Sequence, residues 1–235
     1  WYEKKLPFEK INNFPENNNL KNVTDRSIGR NSFNLDYENE ASIGYMYGKV
    51  TGTRENNIKN EVDSNIKLTI DSWYISNLKS YSDYISDNGF CNDRNVESND
   101  GTTAYYSPYF RLLRAQPDFK CSNISNDLFT TSASEIGNKS LTYPIGLLTL
   151  DEAIYAGYSA QRLNTLNYMY SNYWFWTMSP STKSSLAVAN YTLNKYFGSN
   201  WVVSKLSIRP VINLKAGVEI TGGIGTVNDP FVIKT

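Results

Sequence analysis

The chain has 235 residues and a mass of 26.7 kDa, with 40% apolar, 14% aromatic and 20% charged residues. A chain of that size buries roughly 70–75% of its unfolded surface, and this composition excludes a disordered tail, while no apolar run reaches the length of a membrane span. Lys plus Arg equals Asp plus Glu at 23 each and His is absent, which argues against a duplex nucleic-acid binder and removes the commonest general base and metal ligand.

Residues 1–41 are rich in Asn, carry Pro7 and Pro15, and show no sustained period. They read as an irregular lead-in with room for one short strand, ahead of a single domain over 42–235. A first residue of Trp1 rather than Met makes a trimmed or processed piece the expectation. Asn occurs 29 times and Tyr 18, a skew consistent with A/T-rich codons. Residues 42–52 alternate large and small and read as a strand punctuated by Gly44 and Gly48. From Glu61 the period changes: Val62, Ile66, Ile70, Trp73, Tyr74, Leu78, Tyr81 and Ile85 recur at helical steps, predicting one amphipathic helix over 61–86. Asn88-Gly89 supplies its stop.

Residues 90–138 resemble an insertion and hold both cysteines, Cys91 and Cys121, in polar, turn-rich sequence. A disulfide between them would order that stretch and contribute roughly 3–4 kcal/mol. Two reduced thiols are the alternative, which spacing alone does not exclude. Thr149-Leu150-Asp151-Glu152 matches a capping box and predicts a short helix over 149–158. Beyond Asn172 the pattern is β: 173–178 ending at Ser179-Pro180, then 185–191, 201–203 and 208–214, with a closing hairpin around 218–233. Two helices followed by an antiparallel run make an α+β domain.

Few motifs carry chemistry. Ser76-Asn77-Leu78-Lys79 and Ser86-Asp87-Asn88 match patterns of penicillin-binding enzymes, but both fall on one predicted helix and its exit, and the Lys-Thr-Gly strand is missing. Asp87, Asp93, Glu97 and Asp100 lack calcium-loop spacing and read as a solvated acidic loop. Two cysteines without His make no zinc site. Asp151 and Glu152 are adjacent on a helix, so they do not face each other across a cleft, and the cap accounts for both. Gly222-Gly223-Ile224-Gly225 precedes no helix and reads as a turn. In Tyr173-Trp174-Phe175-Trp176 the strand alternation sends Trp174 and Trp176 to one face and Tyr173 and Phe175 to the other, with at least one face expected in the core. The stretch 190–201 mixes amphipathic Tyr and Trp with Asn and Lys, as paratopes do.

The run from the capped helix through Tyr173-Trp174-Phe175-Trp176-Thr177-Met178-Ser179-Pro180 to Ile208-Arg209-Pro210-Val211-Ile212-Asn213-Leu214 resembles bacterial, Firmicutes-type surface modules. Those modules have a C-type-lectin-like fold related in architecture to formylglycine-generating enzymes. Gly44-Tyr45-Met46-Tyr47-Gly48, Asp71-Ser72-Trp73-Tyr74 and Phe90-Cys91-Asn92-Asp93-Arg94 extend the likeness upstream. The resemblance implies two helices packed on a twisted antiparallel sheet whose late hairpins present a variable surface. Ser207-Ile208 stands where those modules carry Gly-Val, the calcium signatures of sugar-binding lectins are absent, and the formylglycine enzymes' catalytic cysteines have no counterpart.

The sequence thus leads to an extracellular or cell-surface recognition or adhesion module without enzymatic activity, cofactor or metal. Its expected ligand-binding residues are Tyr191, Asn194, Lys195, Tyr196, Asn200 and Trp201, meeting a protein or a glycan. The alternative is a pilin-like structural subunit, whose partners would be further copies of itself. Neither nucleic acid nor a membrane-spanning segment of this chain enters either reading.

Overall fold

A computed structural model describes residues 27–50, 52–158, 160, 173–184, 188–193, 197–224 and 229–234, with the backbone alone at 183–184, 188–193 and 197. The architecture is mixed α+β with a mostly antiparallel sheet and few helices. Among the described residues the main sheet has seven strands: β1 (Arg30–Asn31), β2 (Val96–Asn99), β3 (Thr103–Tyr106), β4 (Phe175–Ser184), β5 (Val188–Leu193), β6 (Phe197–Trp201) and β7 (Leu206–Ser207). β4 is its spine. On one side β4 carries the β5–β6 hairpin. On the other its first residue, Phe175, meets Ser207 of β7 in parallel, and its last three meet β3 antiparallel. β1 extends β7 and β2 extends β3. Of the late segments, β4, β5 and β6 therefore lie side by side as sheet, as expected.

β4 does not stop at Ser179-Pro180. It runs on to Ser184, with a register shift on either side of Pro180. A bulge suits proline because the ladder there does not need its missing N–H. The third expected strand also moves: β6 ends at Trp201, and Val202 and Val203 form a turn. Residues 208–214 are three short stitches rather than one strand. Ile208 exchanges backbone bonds with 28–29, Pro210–Val211 pairs with Gly146–Leu147, and Asn213–Leu214 pairs with Ile85–Ser86. The closing hairpin is present as Ile220–Gly222 against Val232–Ile233.

The long helix, α1, spans Asn65–Asn77, shorter at both ends than 61–86. Ser64 caps it, its side chain accepting from the Lys67 amide at 3.2 Å. Val62–Asp63 before it is a strand paired with Met46–Tyr47, and Lys79–Tyr84 after it is a 3-10 turn. Ile66, Ile70 and Tyr74 are buried, whereas Val62 and Tyr81 are 41% and 46% exposed, so the stripe's ends belong to other elements. The strand expected over 42–52 is reduced to Met46–Tyr47, because Asn39 caps a 3-10 turn at Glu40–Ile43 first.

The insertion-like stretch is structured. Phe90–Cys91 pairs with Leu128–Phe129, β2 and β3 form a hairpin, and the helix α2 spans Ser107–Arg114. Cys91 and Cys121 form the disulfide. The helix α3, Leu150–Tyr155, carries the complete capping box: Thr149 accepts from the Glu152 amide and Glu152 accepts from the Thr149 amide. Adjacent residues of β4 point to opposite faces, and here both faces are core. Trp176 joins a large cluster with Phe33, Ile43, Tyr45, Ile66 and Ile70. Phe175 joins a smaller one with Leu112 of α2 and Leu150, Ala153 and Ile154 of α3. Phe33 of the expected lead-in is fully buried in the first cluster, and the strand allowed for there is β1.

Candidate functional site

The β5–β6 hairpin carries the residues the sequence singled out. Its register sets Ala189 opposite Trp201, Asn190 opposite Asn200, and Tyr191 opposite Ser199. Trp201 is 50% exposed on the edge strand, and Asn200 beside it is half-buried. Successive strand residues point to opposite faces, so Asn200 and Trp201 cannot serve one contact surface. Ser199, exposed and two residues from Trp201, shares Trp201's face. Tyr191 lies in β5, while Asn194, Lys195 and Tyr196 fall outside the described residues.

On the other face Trp174 packs against the hairpin. A Cβ at Gly198 would lie 2.8 Å from Trp174 Cη2, so only glycine lets the indole rest on that backbone. Tyr173 next to it is 40% exposed and carries the Arg30 guanidinium 4.8 Å from its ring centroid, a cation–π pair.

A second, polar site lies beside the disulfide, and sequence reasoning missed its centre. Arg111 of α2 donates from Nε and Nη2 to the two carboxylate oxygens of Asp151, at 2.6 and 2.7 Å, and also pairs with Asp93. Asp151 accepts again from the Asp118 amide at 2.9 Å. These groups line a small hollow with Cys91, Thr149 and Ser179. Asp93 is therefore no part of a solvated acidic loop: it is buried, and one of its oxygens has no hydrogen bond. Asp151 does more than favour a helix start. Burial raises the Asp93 pKa above the ordinary carboxyl value despite Arg111. Burial also opposes the charge on Arg111, but its bonds to Asp151 and Asp93 outweigh it and hold that pKa above the usual arginine value. The signal was available: Pro108 in the first turn and Pro117 shortly beyond Arg114 bracket a helix.

Arg111 thereby fastens α2, α3 and the segment just after the Phe90–Cys91 strand to one another. Nearby, Arg94 is buried against Asp127, with Nε 2.6 Å from the carboxylate, and donates to the carbonyls of Met46, Ile58 and Asn126. Among the described residues no group of three or more Cys, Asp or Glu side chains could hold a metal ion, and no helix is long and apolar enough to cross a membrane. Comparisons of the chain with family models, with curated proteins and with solved structures found no match.

Proposed function

We propose that the protein is an extracellular recognition or adhesion module of C-type-lectin-like architecture, contacting a protein or a glycan through its β5–β6 hairpin. One observation carries the reading. Every other Trp, Phe or Tyr with a described side chain within β3, β4 and β6 is buried or half-buried, yet Trp201 on the edge strand keeps half its surface in solvent. Trp is among the residue types on which binding energy concentrates. The disulfide fits an oxidising compartment.

The test uses a printed array of glycans and extracellular proteins, probed with the labelled chain. Wild type is expected to mark at least one spot. Simultaneous Tyr191→Ala, Tyr196→Ala and Trp201→Ala should cut that signal at least about tenfold with the circular dichroism unchanged. An unaltered signal from the folded triple variant removes the hairpin from the contact, and a blank array removes the reading.

A second reading, a structural subunit of a surface filament, draws on a different observation. Ile220, Ile224, Phe231 and Val232 of the C-terminal ribbon are 56%, 56%, 49% and 52% exposed. An apolar ribbon without cover favours association. Concentration-dependent sedimentation to large species would support it, and a monomer at every concentration would remove it.

A further inference from the structure

We infer that the sheet face carrying Trp201 is a bridge-like site for a linear, uncharged oligosaccharide, gripped at Trp201 on one edge and at Tyr105 three strands away. This rests on the recognition reading and gives its ligand a class and an address.

The register supplies the geometry. Trp201 stands opposite Ala189, Ala189 opposite Thr182, Thr182 opposite Tyr105, and Tyr105 opposite Ser98. Residues directly opposite in antiparallel pairs share a face, so these positions form one row across five strands. Strand spacing puts Trp201 and Tyr105 roughly 14 Å apart. The residue types between them, Ala and Thr, are small, so the row has an aromatic at each end and a low floor.

Tyr105 is supported. Its ring centroid lies 5.6 Å from that of Tyr109 and 6.1 Å from that of Phe110, both on α2. All three rings are half-buried, leaving surface to stack on. Arg114, 5.4 Å from the Phe110 ring centroid, pairs with Glu97 at 2.8 Å, so these two charges offset one another.

The occupant follows from what the row can and cannot offer. A peptide docking by strand addition would run along the free edge of β6, where it meets Trp201 but not the sheet face between Trp201 and Tyr105, three strands away. Ring faces and hydroxyls remain as the means of contact. Sugar rings present C–H faces to aromatic rings and hydroxyls to Thr182, Ser98 and Ser199. The row carries no charged residue, which selects against acidic or basic ligands.

Two platforms joined by one ligand make affinity depend on ligand length, because the second contact becomes intramolecular once the chain spans both. The experiment is calorimetric titration of the disulfide-intact protein with glucose, cellobiose and cellotetraose, and with chitotetraose and mannotetraose. At least one tetrasaccharide is expected to bind, about tenfold or more tighter than its disaccharide. Trp201→Ala and Tyr105→Ala should each weaken it about tenfold, while Trp201→Phe stays within roughly threefold. The inference is overturned if no tetrasaccharide binds, if length has no effect, or if neither alanine variant loses affinity while its circular dichroism is native. Should the sugars fail while array protein spots still depend on the hairpin, the ligand class falls and recognition stands. A blank array together with silent titrations removes both.

Discussion

Arg94 shows what a single buried charge does in this protein. Its guanidinium is 2% exposed yet fully engaged, with Asp127 taking Nε and three backbone carbonyls taking the rest. The fork geometry lets one side chain tie the Met46–Tyr47 strand, the turn after Asn57 and the Ile124–Asp127 helix together. Removing it strands Asp127 in the interior. Arg94→Ala should cost about 3–5 kcal/mol, read as a fall in the urea midpoint, and Arg94→Lys should recover little because an ammonium cannot reach all partners. Gly44 belongs to the same construction: a Cβ there would sit 2.4 Å from the Met46 carbonyl oxygen and 2.7 Å from Arg94 Nη1. Asp93 and Asp71 act differently. Burial raises both carboxyl pKa values, against Arg111 in one case and Lys67 in the other. A carboxyl with a raised folded-state pKa binds protons more readily in the native than in the unfolded chain. Its stabilising contribution is complete below the ordinary value of 3.8 and is lost as pH rises through the raised one. Wild type should therefore gain stability relative to Asp93→Asn and Asp71→Asn as pH falls from about 7 toward 4. A gap independent of pH would show that these carboxyls titrate alike in both states.

At the scale of elements, local signals were legible and distant ones were not. The α3 cap was readable because Thr149 and Glu152 satisfy each other within one turn. Thr149→Ala should cost about 1 kcal/mol by urea unfolding. The α1 boundaries were not readable from periodicity, since Val62, Tyr81 and Ile85 keep the helical step while lying in a strand, a 3-10 turn and another strand. Ser64 was the better guide to the start. The α2 helix is amphipathic and has Pro108 at its start, but its eight residues give only about two turns of periodicity inside turn-rich sequence. The pairing of Cys91 with Cys121 could only be weighed from sequence, and the fold explains it: the Phe90–Cys91 ladder and the segment after Lys120 meet beside Arg111. Reduction should lower stability by roughly 3–4 kcal/mol, measured by urea midpoints with and without reductant. The site divides similarly. The exposure of Trp201 agrees with its amphipathic neighbourhood, but Tyr105 had no sequence signal linking it to Trp201, because strand register is set by long-range pairing.

Across the whole molecule, closure depends on the segment after the hairpin. Val202 accepts from the Asn34 amide at 3.0 Å, the Ser207 amide donates to the Trp174 carbonyl at 3.1 Å, and Ile208 is paired with the chain at 28–29. Pro210–Val211 and Asn213–Leu214 then bind strands that lie far apart in sequence. This short stretch thus joins the start, middle and end of the fold and covers the core at Ile208, which is 1% exposed. No described residue after Ile208 is buried, and the ribbon at Ile220–Gly222 and Val232–Ile233 pairs chiefly with itself. A two-stranded ribbon is marginal alone and lends little stability to the body beside it. A chain ending at Leu214 should therefore keep its near-ultraviolet circular dichroism and a urea midpoint within about 1 kcal/mol of the full chain. A chain ending at Trp201 should lose both, because the core is left open and β1 loses β7, its one partner in the main sheet among the described residues. Equal stability of the two truncations would mean that the sheet closes without β7. Loss of folding in the longer one would mean that the ribbon carries weight which its exposure does not suggest.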